Sequence, residues 1–390
     1  MIIVSNSRNM KKAIILILLV PCLTNCGHRE KIKIHPPQQQ DHTIFYPEKK
    51  HFSHYKKSTT PLIYPALITI AAVGDIMLGE HAVSYINKYG TNYPFDSTKA
   101  RLTNAHFTIG NLEAPFALSG TKFDKRFNFK VPPHFANGLV DAGFDVMNLA
   151  NNHLMDYGKE ALISTLNILD SLGIRHCGAG LNYEEAHKPA LFELNGTTVA
   201  FLGYSLTFPS EFWATDSRAG TAYPRDKSVI KAIKHCEEIA DITVVSFHWG
   251  GELRSTPKEY QKHFAHLSIN AGADLILGHH PHVLQGIEIY KNRLIIYSLG
   301  NFAFAQYGNK KTNDSIILKT YLTKKGLLFS HVIPISVNNY QVAFQPRVLR
   351  GKVASSILTH LNDISLELNQ GRKIINTDGI VWGDLNTVLQ

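Results

Sequence analysis

The sequence predicts an α/β fold in which buried strands alternate with helices and end at one polar edge. Two observations carry this prediction. Short apolar runs of buried-strand type recur along the chain, and stretches with helical apolar spacing separate them. At least five of these runs finish in Gly, Asn, Asp, Glu or His. Ligand crevices of α/β sheets lie beyond the carboxyl ends of the strands, so these polar residues are expected to converge on one site.

Each predicted strand is a short, mainly apolar run bounded by glycine or polar residues. In chain order the runs cover residues 67–73, 107–109, 146–149, 198–204, 242–247, 275–277 and 294–299. Helical spacing is found at 160–172, 228–239 and 258–271. A last helix is predicted near the C-terminus, where residues 357, 358, 361 and 364 are apolar.

The run at 275–277 ends in Gly278-His279-His280-Pro281-His282, which places three imidazoles within four positions. Neutral imidazole is a good ligand for Zn, Mn or Fe. Three histidines do not complete a metal site, so oxygen ligands must come from other strand ends. A single histidine after a strand is more often a cap or a packed side chain, but the joint placement of several such residues predicts a metal site.

The basic charge of the chain is concentrated before residue 67. The formal net charge is +9, with three basic residues and no acids in 1–25, and seven basic residues and three acids in 27–66. The remaining segment therefore carries only +2. This distribution argues for a membrane-proximal stalk and against a nucleic-acid partner.

The N-terminus has the pattern of an export signal. Lys11 and Lys12 precede the apolar run 13–20, which is shorter than the roughly 20 residues that a bilayer span needs. Leu23-Thr24-Asn25-Cys26 resembles a bacterial lipobox, with Asn25 an atypical residue before the cysteine. Residues 1–26 are thus predicted to be a signal peptide with lipidation at Cys26. Plain secretion and a retained anchor are the alternatives.

Residues 27–66 contain Pro36-Pro37, three consecutive glutamines and five histidines, with no apolar periodicity. This composition predicts a flexible linker. Cys177 and Cys236 follow in the folded part; they are compatible with one disulfide or with two buried thiols.

Six ordered motifs carry a family resemblance: AAVGDIMLGE, GNLEAP, NLANNHLMDYG, VVSFHWGGE, LILGHHPHVLQGIE and YSLGNF. Together they resemble the CapA family, associated with poly-γ-glutamate capsule synthesis, which is similar to the calcineurin-like metallophosphoesterases. The resemblance implies a four-layer αββα sandwich over residues 67–346, with 347–390 as a C-terminal helical extension. It also implies one or two divalent metal ions, Mn, Zn or Fe, held between the sheets.

The resemblance assigns roles residue by residue. His153 corresponds to the outer-sphere acid that protonates a leaving group, and Asp156 is expected either to fix its tautomer or to place charge at a helix N-terminus. Substrate binding is predicted for Asn111 and His279, with His279 also an alternative ligand. Apart from the resemblance, Arg126 lies in a predicted loop between motifs, where it is expected either to bind a phosphate or a glutamate carboxylate of the substrate or to be a plain surface charge. Metal binding is assigned to Asp75, Glu113, Asn152, His248, His280 and His282.

Two positions depart from the phosphoesterase pattern. Met77 stands where those enzymes have a histidine, and Asn111 stands where they have a bridging aspartate. Glu113 is expected to supply the bridging charge instead.

Two hypotheses follow. In the first, the protein is a metal-dependent hydrolase or transferase acting at a phosphoryl or γ-glutamyl bond of an envelope polymer. In the second, it is a non-catalytic assembly or export component that grips an anionic polymer with a partial metal site. Both place it in the cell envelope, lipid-anchored outside the cytoplasmic membrane or in the periplasm. The partners expected are an anionic polymer or phosphorylated precursor and the membrane proteins of a synthesis complex.

Overall fold

The computed structural model describes residues 67–307 and 310–384. The predicted signal peptide 1–26, its lipidation site Cys26 and the linker 27–66 lie outside the described residues. Within them, no helix combines the length and the apolar character that crossing a bilayer requires.

The described part of the chain alternates strands with helices. The strands are β1 (Ile68–Met77), β2 (Phe107–Leu112), β3 (Val146–Asn148), β4 (Arg175–Cys177), β5 (Ala179–Gly180), β6 (Ala190–Leu194), β7 (Thr197–Ser205), β8 (Gly220–Thr221), β9 (Ile242–His248), β10 (Leu275–His279), β11 (Leu284–Tyr290), β12 (Arg293–Leu299), β13 (Asn301–Phe304), β14 (Asp314–Thr323), β15 (Gly326–Ser336), β16 (Arg347–Val348) and β17 (Ile380–Trp382). The helices are α1 (Ala82–Tyr89), α2 (Lys99–Leu102), α3 (Asn137–Ala142), α4 (Gly158–Ser171), α5 (Tyr183–Ala186), α6 (Asp226–Ile239), α7 (Glu259–Ala271), α8 (Asn339–Val342) and α9 (Gly351–Ser365).

Two large sheets form the centre of the fold. The first has the order β16-β15-β14-β1-β2-β3-β4, with β13 also paired to β1 and β17 to β15. The second has the order β11-β12-β10-β9-β7-β6. Strands β1 to β4 pair in parallel, and so do β7, β9, β10 and β12. Parallel pairing places the carboxyl ends of these strands at a common edge of each sheet.

The two sheets face each other across one apolar core. Ile70 and Ile109 of the first sheet and Phe201, Val244 and Leu277 of the second belong to one buried cluster. Because successive side chains of a strand point to opposite faces, the alternate residues of the same strands contact helices.

The outer faces of both sheets are covered by helices. On the first sheet, Leu139 of α3 and Leu166 of α4 pack with Val73 of β1. On the second, Ile233 of α6 and Phe264 of α7 pack in a cluster with alternate residues of β7, β9 and β10. The layer order is therefore helix, sheet, sheet, helix, which is the four-layer αββα sandwich that the family resemblance implies.

The chain after residue 346 contains strands as well as the predicted helix. It forms α9, whose Ile357 and Leu361 enter the core between the sheets, and it also adds β16 and β17 to the first sheet. Cys177 and Cys236 are both buried free thiols.

Two glycines allow close backbone approach next to the polar edge. A Cβ atom on Gly74 would lie 1.9 Å from the carbonyl oxygen of Gly300, and one on Gly278 would lie 2.0 Å from that of Tyr297. Any larger residue there would push β1 or β10 away from its neighbour. Gly74 directly precedes Asp75, and Gly278 directly precedes His279. Because the glycines have no side chain, the strands can approach closely, and this close approach determines the positions of the two polar residues at the sheet edge.

Candidate metal centre

The strand register aligns polar residues across both sheets. In the first sheet, Asp75 pairs with Asn111, and Asn111 pairs with Asn148. In the second sheet, His248 pairs with His279. These residues therefore stand in two rows whose positions are fixed by backbone pairing, and the rows meet at the common edge of the sandwich.

Asp75 lies at the centre of the cluster and is fully buried. Its Oδ1 accepts a hydrogen bond of 2.8 Å from Asn111 Nδ2, and its Oδ2 accepts one of 3.2 Å from the backbone N–H of His280. The Nδ1 atoms of His279 and His282 lie 3.4 and 3.2 Å from its two oxygens. Burial acts to raise the pKa of Asp75, but the bonds and charges of His279 and His282 outweigh it and hold that pKa well below its ordinary value.

Glu113 is a second buried carboxylate in the same cluster. Its Oε1 lies 3.5 Å from His248 Nε2 and 3.7 Å from His282 Nε2, yet it has no hydrogen-bond partner. Burial and the nearby charge of Asp75 raise its pKa well above the ordinary value. An unpartnered buried carboxylate oxygen facing two imidazoles is the arrangement that a bound cation would satisfy.

Two overlapping sets of ligand atoms fit a metal ion. Glu113, His280 and His282 form one set, and Asp75, Glu113 and His248 form the other, each with its ligand atoms within 4.8 Å of one another. Glu113 belongs to both sets, and its bridging role stays a prediction. Carboxylate and imidazole donors suit Mn, Zn or Fe. The residues present therefore fit one or two divalent ions.

The histidine segment holds a strained backbone. His280 and His282 have φ values of +92° and +57°, in a region that non-glycine residues rarely adopt. Such conformations cost on the order of 1–3 kcal/mol each and cluster at functional sites. Burial, reinforced by the charge of His282, lowers the pKa of His280 to about 3. Burial also acts to lower the pKa of His282, but Glu113 and Asp75 raise it to about 10.

Asn111 lies behind the ligands and orients them. Its Nδ2 donates to Asp75 and, at 3.3 Å, to Glu113, and lies 3.2 Å from His248 Nδ1. The amide is fully buried, and in this position Asn111 orients the side chains around it. Its assignment to substrate binding stays a prediction. His248 Nε2 lies 2.7 Å from Asn152 Oδ1. The Asn152 oxygen and His248 Nε2 thus converge on one point.

Two further asparagines, which are not among the predicted site residues, complete the network. Asn148 Nδ2 and Asn151 Nδ2 donate to Asn111 Oδ1 at 3.1 and 3.3 Å. Asn151 Oδ1 accepts from the backbone N–H groups of His153 and Leu154, both at 3.0 Å. The signal for them is the NLANN stretch, in which they are the first and second asparagines, and Asn148 ends β3.

His153 and Asp156 form a hydrogen-bonded pair beside the carboxylates. His153 Nδ1 lies 2.8 Å from Asp156 Oδ2, which leaves Nε2 as the ring nitrogen available to a ligand. This geometry favours the first of the two roles considered for Asp156, fixing the tautomer of His153. Burial lowers the pKa of His153, while Asp156 acts in the opposite direction. Asp156 is held in turn by the backbone N–H of Phe129 at 2.6 Å.

Lys125 contacts this pair, whereas the residue predicted from the sequence is its neighbour Arg126. Lys125 Nζ lies 2.5 Å from Asp156 Oδ1 and 3.3 Å from His153 Nδ1, and it donates to the backbone oxygen of Asn152. Arg126 is exposed, and its guanidinium lies over the ring of Phe127 at 4.9 Å. The loop has no periodicity that indicates which cation turns inward.

Met77 and His279 are the two remaining positions that the sequence places next to the predicted ligands. Met77 is buried in the core between the first sheet and its helices, and its Sδ accepts the backbone N–H of Gly79 at 3.3 Å. The Met77 side chain thus lies in the core and supplies no nitrogen ligand at the position where the phosphoesterases have a histidine. His279 lies against Asp75, and both of its ring nitrogens are buried without a hydrogen-bond partner.

Comparison with protein families identifies the chain. Residues 69–306 match the model of the bacterial capsule synthesis protein family PGA_cap, which is more than half of the chain. The chain belongs to this family. Two relatives are similar to it along most of their length. The capsule biosynthesis protein CapA of Bacillus anthracis is 35% identical, covering 69% of this chain and 67% of that protein. The PGA biosynthesis protein CapA of Bacillus subtilis is 31% identical, covering 80% and 83%.

Solved structures with a related fold include nucleotidases. The NAD nucleotidase of Haemophilus influenzae has a TM-score of 0.43 and 11% identity, covering 77% of this chain and 56% of that one. A putative 5′-nucleotidase of Staphylococcus aureus has a TM-score of 0.42 and 17% identity, covering 76% and 58%.

Proposed function

We propose that the protein is a metal-dependent phosphoesterase-like enzyme of the cell envelope that acts on an anionic capsule polymer of the poly-γ-glutamate type or on its phosphorylated precursor. The observation that carries this proposal is the pair of overlapping ligand sets that share Glu113, with the His153–Asp156 pair beside them. Family membership and the names of the Bacillus relatives support the capsule as the setting.

The proposed ligands are Asp75, Glu113, Asn152, His248, His280 and His282, with His279 close enough to Asp75 to join them. Divalent ions bound there would stabilise negative charge on a phosphoryl oxygen. His153 exchanges a proton with the substrate through Nε2, because Asp156 occupies Nδ1. Burial lowers the pKa of His153, and an anionic phosphoryl group beside the ring favours its protonated form.

We further propose that the protein is anchored at the outer side of the cytoplasmic membrane through a lipid on Cys26, and that it works with membrane proteins of a polymer synthesis complex. The LTNC stretch and the basic, proline-containing segment 27–66 support a tethered domain.

Two positions favour the non-catalytic alternative. Met77 is buried with its sulfur bonded to a backbone N–H, and the bridging position after Gly110 is the neutral Asn111. A site with fewer anionic ligands binds a second metal ion more weakly, and a polymer-gripping role needs no turnover.

The experiment that separates the two functions combines metal analysis with turnover. We expect the purified protein to contain Mn, Zn or Fe by mass spectrometry and to cleave a generic phosphodiester or phosphomonoester with Mn²⁺ or Zn²⁺ added. His153→Ala should lower kcat by about 10²–10⁴-fold and leave metal content unchanged, because His153 is the proton-transfer group and not a ligand. His235→Ala, at an exposed histidine of α6, is the matched control.

Wild-type turnover in His153→Ala would remove the proton-transfer role. Bound metal without turnover in the wild type would favour the polymer-gripping function, and a protein that binds no metal would contradict the proposed enzyme.

A further inference from the structure

A cavity of about 320 Å³ lies outside the metal-ligand cluster. It is bordered by α5 and by the connection 206–225, which joins the end of β7 to the start of α6. The connection starts at the site edge, because Ser205 at the end of β7 pairs with His248. The volume is within the range of small-ligand sites.

Flat aromatic surfaces form part of the cavity wall. The rings of Trp213 and Tyr223 stack with centroids 3.9 Å apart, and those of Tyr183 and His187 stack at 4.0 Å. Trp213 is fixed because its Nε1 donates to the backbone oxygen of Thr207 at 2.9 Å. Such faces accept the planar amide groups of a peptide-like chain by stacking.

Two guanidinium groups give the cavity a positive charge. Arg218 is braced by Nε and Nη2, which donate to backbone oxygens of Trp213 and Ser210, and its Nη1 has no hydrogen bond within the described residues. Arg225 is exposed, and its neighbour Asp226 pairs with His263 at 3.0 Å instead of with Arg225. Neither arginine forms an ion pair with a carboxylate in the described part of the chain.

The other titratable groups of the cavity leave this positive charge in excess. Burial lowers the pKa of His187, so the imidazole is neutral near pH 7. Glu211 is an exposed acid at the rim and accepts from the Ser210 hydroxyl at 3.4 Å. Guanidinium forks match carboxylates in geometry and bind them with two parallel hydrogen bonds.

The connection that forms the cavity also packs against the segment that reaches His153. Phe212 and Phe123 meet edge to face at 4.9 Å, and Lys125 Nζ lies 5.0 Å from the centre of the Phe212 ring. Lys125 in turn contacts His153. A ligand in the cavity is therefore separated from the proton-transfer pair by a short series of packed side chains.

We propose that this cavity binds a carboxylate-bearing, amide-linked chain, with Arg218 and Arg225 on its carboxylates and the stacked aromatic rings on its amide planes. The inference rests on the proposed function for the identity of the polymer, and it makes the cavity the site that selects that polymer.

The test measures binding of a γ-linked glutamate decamer to the full-length protein by isothermal titration calorimetry. Arg225→Ala should weaken binding about 10-fold, because a charge-assisted bond is lost, and Arg225→Lys should restore part of it. Trp213→Ala should also weaken binding. Lys227→Ala, at an exposed cation two residues from Arg225, is the matched control and should bind as the wild type does. Circular dichroism and metal content verify that each variant is folded.

The outcomes separate this inference from the proposed function. Wild-type affinity in Arg225→Ala would overturn the cavity assignment. Arginine-dependent binding of inorganic phosphate, with no binding of the glutamate decamer, would also overturn it and indicate a phosphate site. Arginine-dependent decamer binding in a protein without phosphoesterase turnover would support the cavity and contradict the enzyme.

Discussion

Lys125 places a positive charge against the His153–Asp156 pair. The Asp156 carboxylate is fully buried, so the ion pair at 2.5 Å replaces the hydration that this group loses on folding. Because the other oxygen of Asp156 bonds His153, Lys125 fixes the carboxylate and, through it, the orientation of the imidazole. Lys125 is thus a positioning residue for the proposed chemistry.

Replacing this charge tests the positioning role. Lys125→Met, which keeps an unbranched side chain, should lower turnover by about 10–100-fold, as is usual for outer-shell partners, and leave metal content unchanged. Lys125→Arg should recover much of the loss, because it restores the positive charge next to Asp156. Lys130→Met is the control, since Lys130 donates to the backbone oxygen of Leu118. Equal turnover in Lys125→Met and wild type would assign Lys125 to loop structure alone.

The same hydrogen bond recurs at the start of three parallel strands in the two sheets. Three aspartates each stand directly before a strand, and the side chain of each accepts a hydrogen bond from the backbone N–H of a threonine on the neighbouring parallel strand. The pairs are Asp145 with Thr108 at 2.8 Å, Asp241 with Thr198 at 2.9 Å and Asp274 with Thr243 at 2.9 Å. This contact fixes the register at the amino ends, and therefore also fixes which residues align at the carboxyl ends where the site lies.

Asp145 should give the protein a measurable pH dependence. Burial raises the pKa of Asp145 to about 6, above the ordinary value of about 3.9 that it has in the unfolded chain. The unfolded state then ionises first as pH rises, so the contribution of this carboxyl to stability is highest below pH 4 and is lost between about pH 4 and 6. Asp145→Asn keeps an acceptor for Thr108 and should be more stable than wild type by about 1–3 kcal/mol at pH 7.

Urea unfolding at pH 4 to 7 measures this difference. Asp241→Asn is the control of opposite sign: burial acts to raise the pKa of Asp241, but Lys324 and the Thr198 N–H lower it overall. That carboxylate stabilises the fold above its unfolded pKa, so its Asn variant should be less stable at pH 7 and approach wild type in acid. The same pH trend in both variants would contradict these assignments.

The sequence predicts buried parallel strands better than the strands at the sheet margins. Every apolar run of the sequence analysis forms a strand, and the runs at 67–73 and 107–109 extend further, through Asp75 and Asn111. Strands β14 and β15 were not predicted, because polar residues such as Lys319 and His331 interrupt their apolar pattern. Antiparallel strands with one partly exposed face lack the continuous run that identifies a parallel strand buried on both faces.

At the scale of the whole molecule, the candidate site depends on the contact between the two sheets. Asp75 lies in β1 and Glu113 follows β2 in the first sheet. In the second sheet, His248 ends β9, and His280 and His282 follow β10. Apolar periodicity predicts strands and helices but not which sheet faces which, so the four layers came from the family motifs. The asparagine network was missed for a related reason: the hydrogen bonds between its asparagines join residues up to 40 positions apart.

Because each ligand set combines residues of both sheets, a bound metal ion should stabilise the whole sandwich. Saturation at about 100 times Kd adds about 2.7 kcal/mol, so chelation should lower Tm by several degrees. Glu113→Gln should abolish this difference in Tm between the metal-bound and the chelated protein, since Glu113 belongs to both sets.

In the presence of chelator, Glu113→Gln should melt at a higher temperature than wild type. The reason is that it removes a buried carboxylate that lies beside Asp75 and whose pKa is raised by burial. Thermal melts with EDTA or Mn²⁺ measure both effects, and a metal-dependent Tm that persists in Glu113→Gln would place the ions elsewhere.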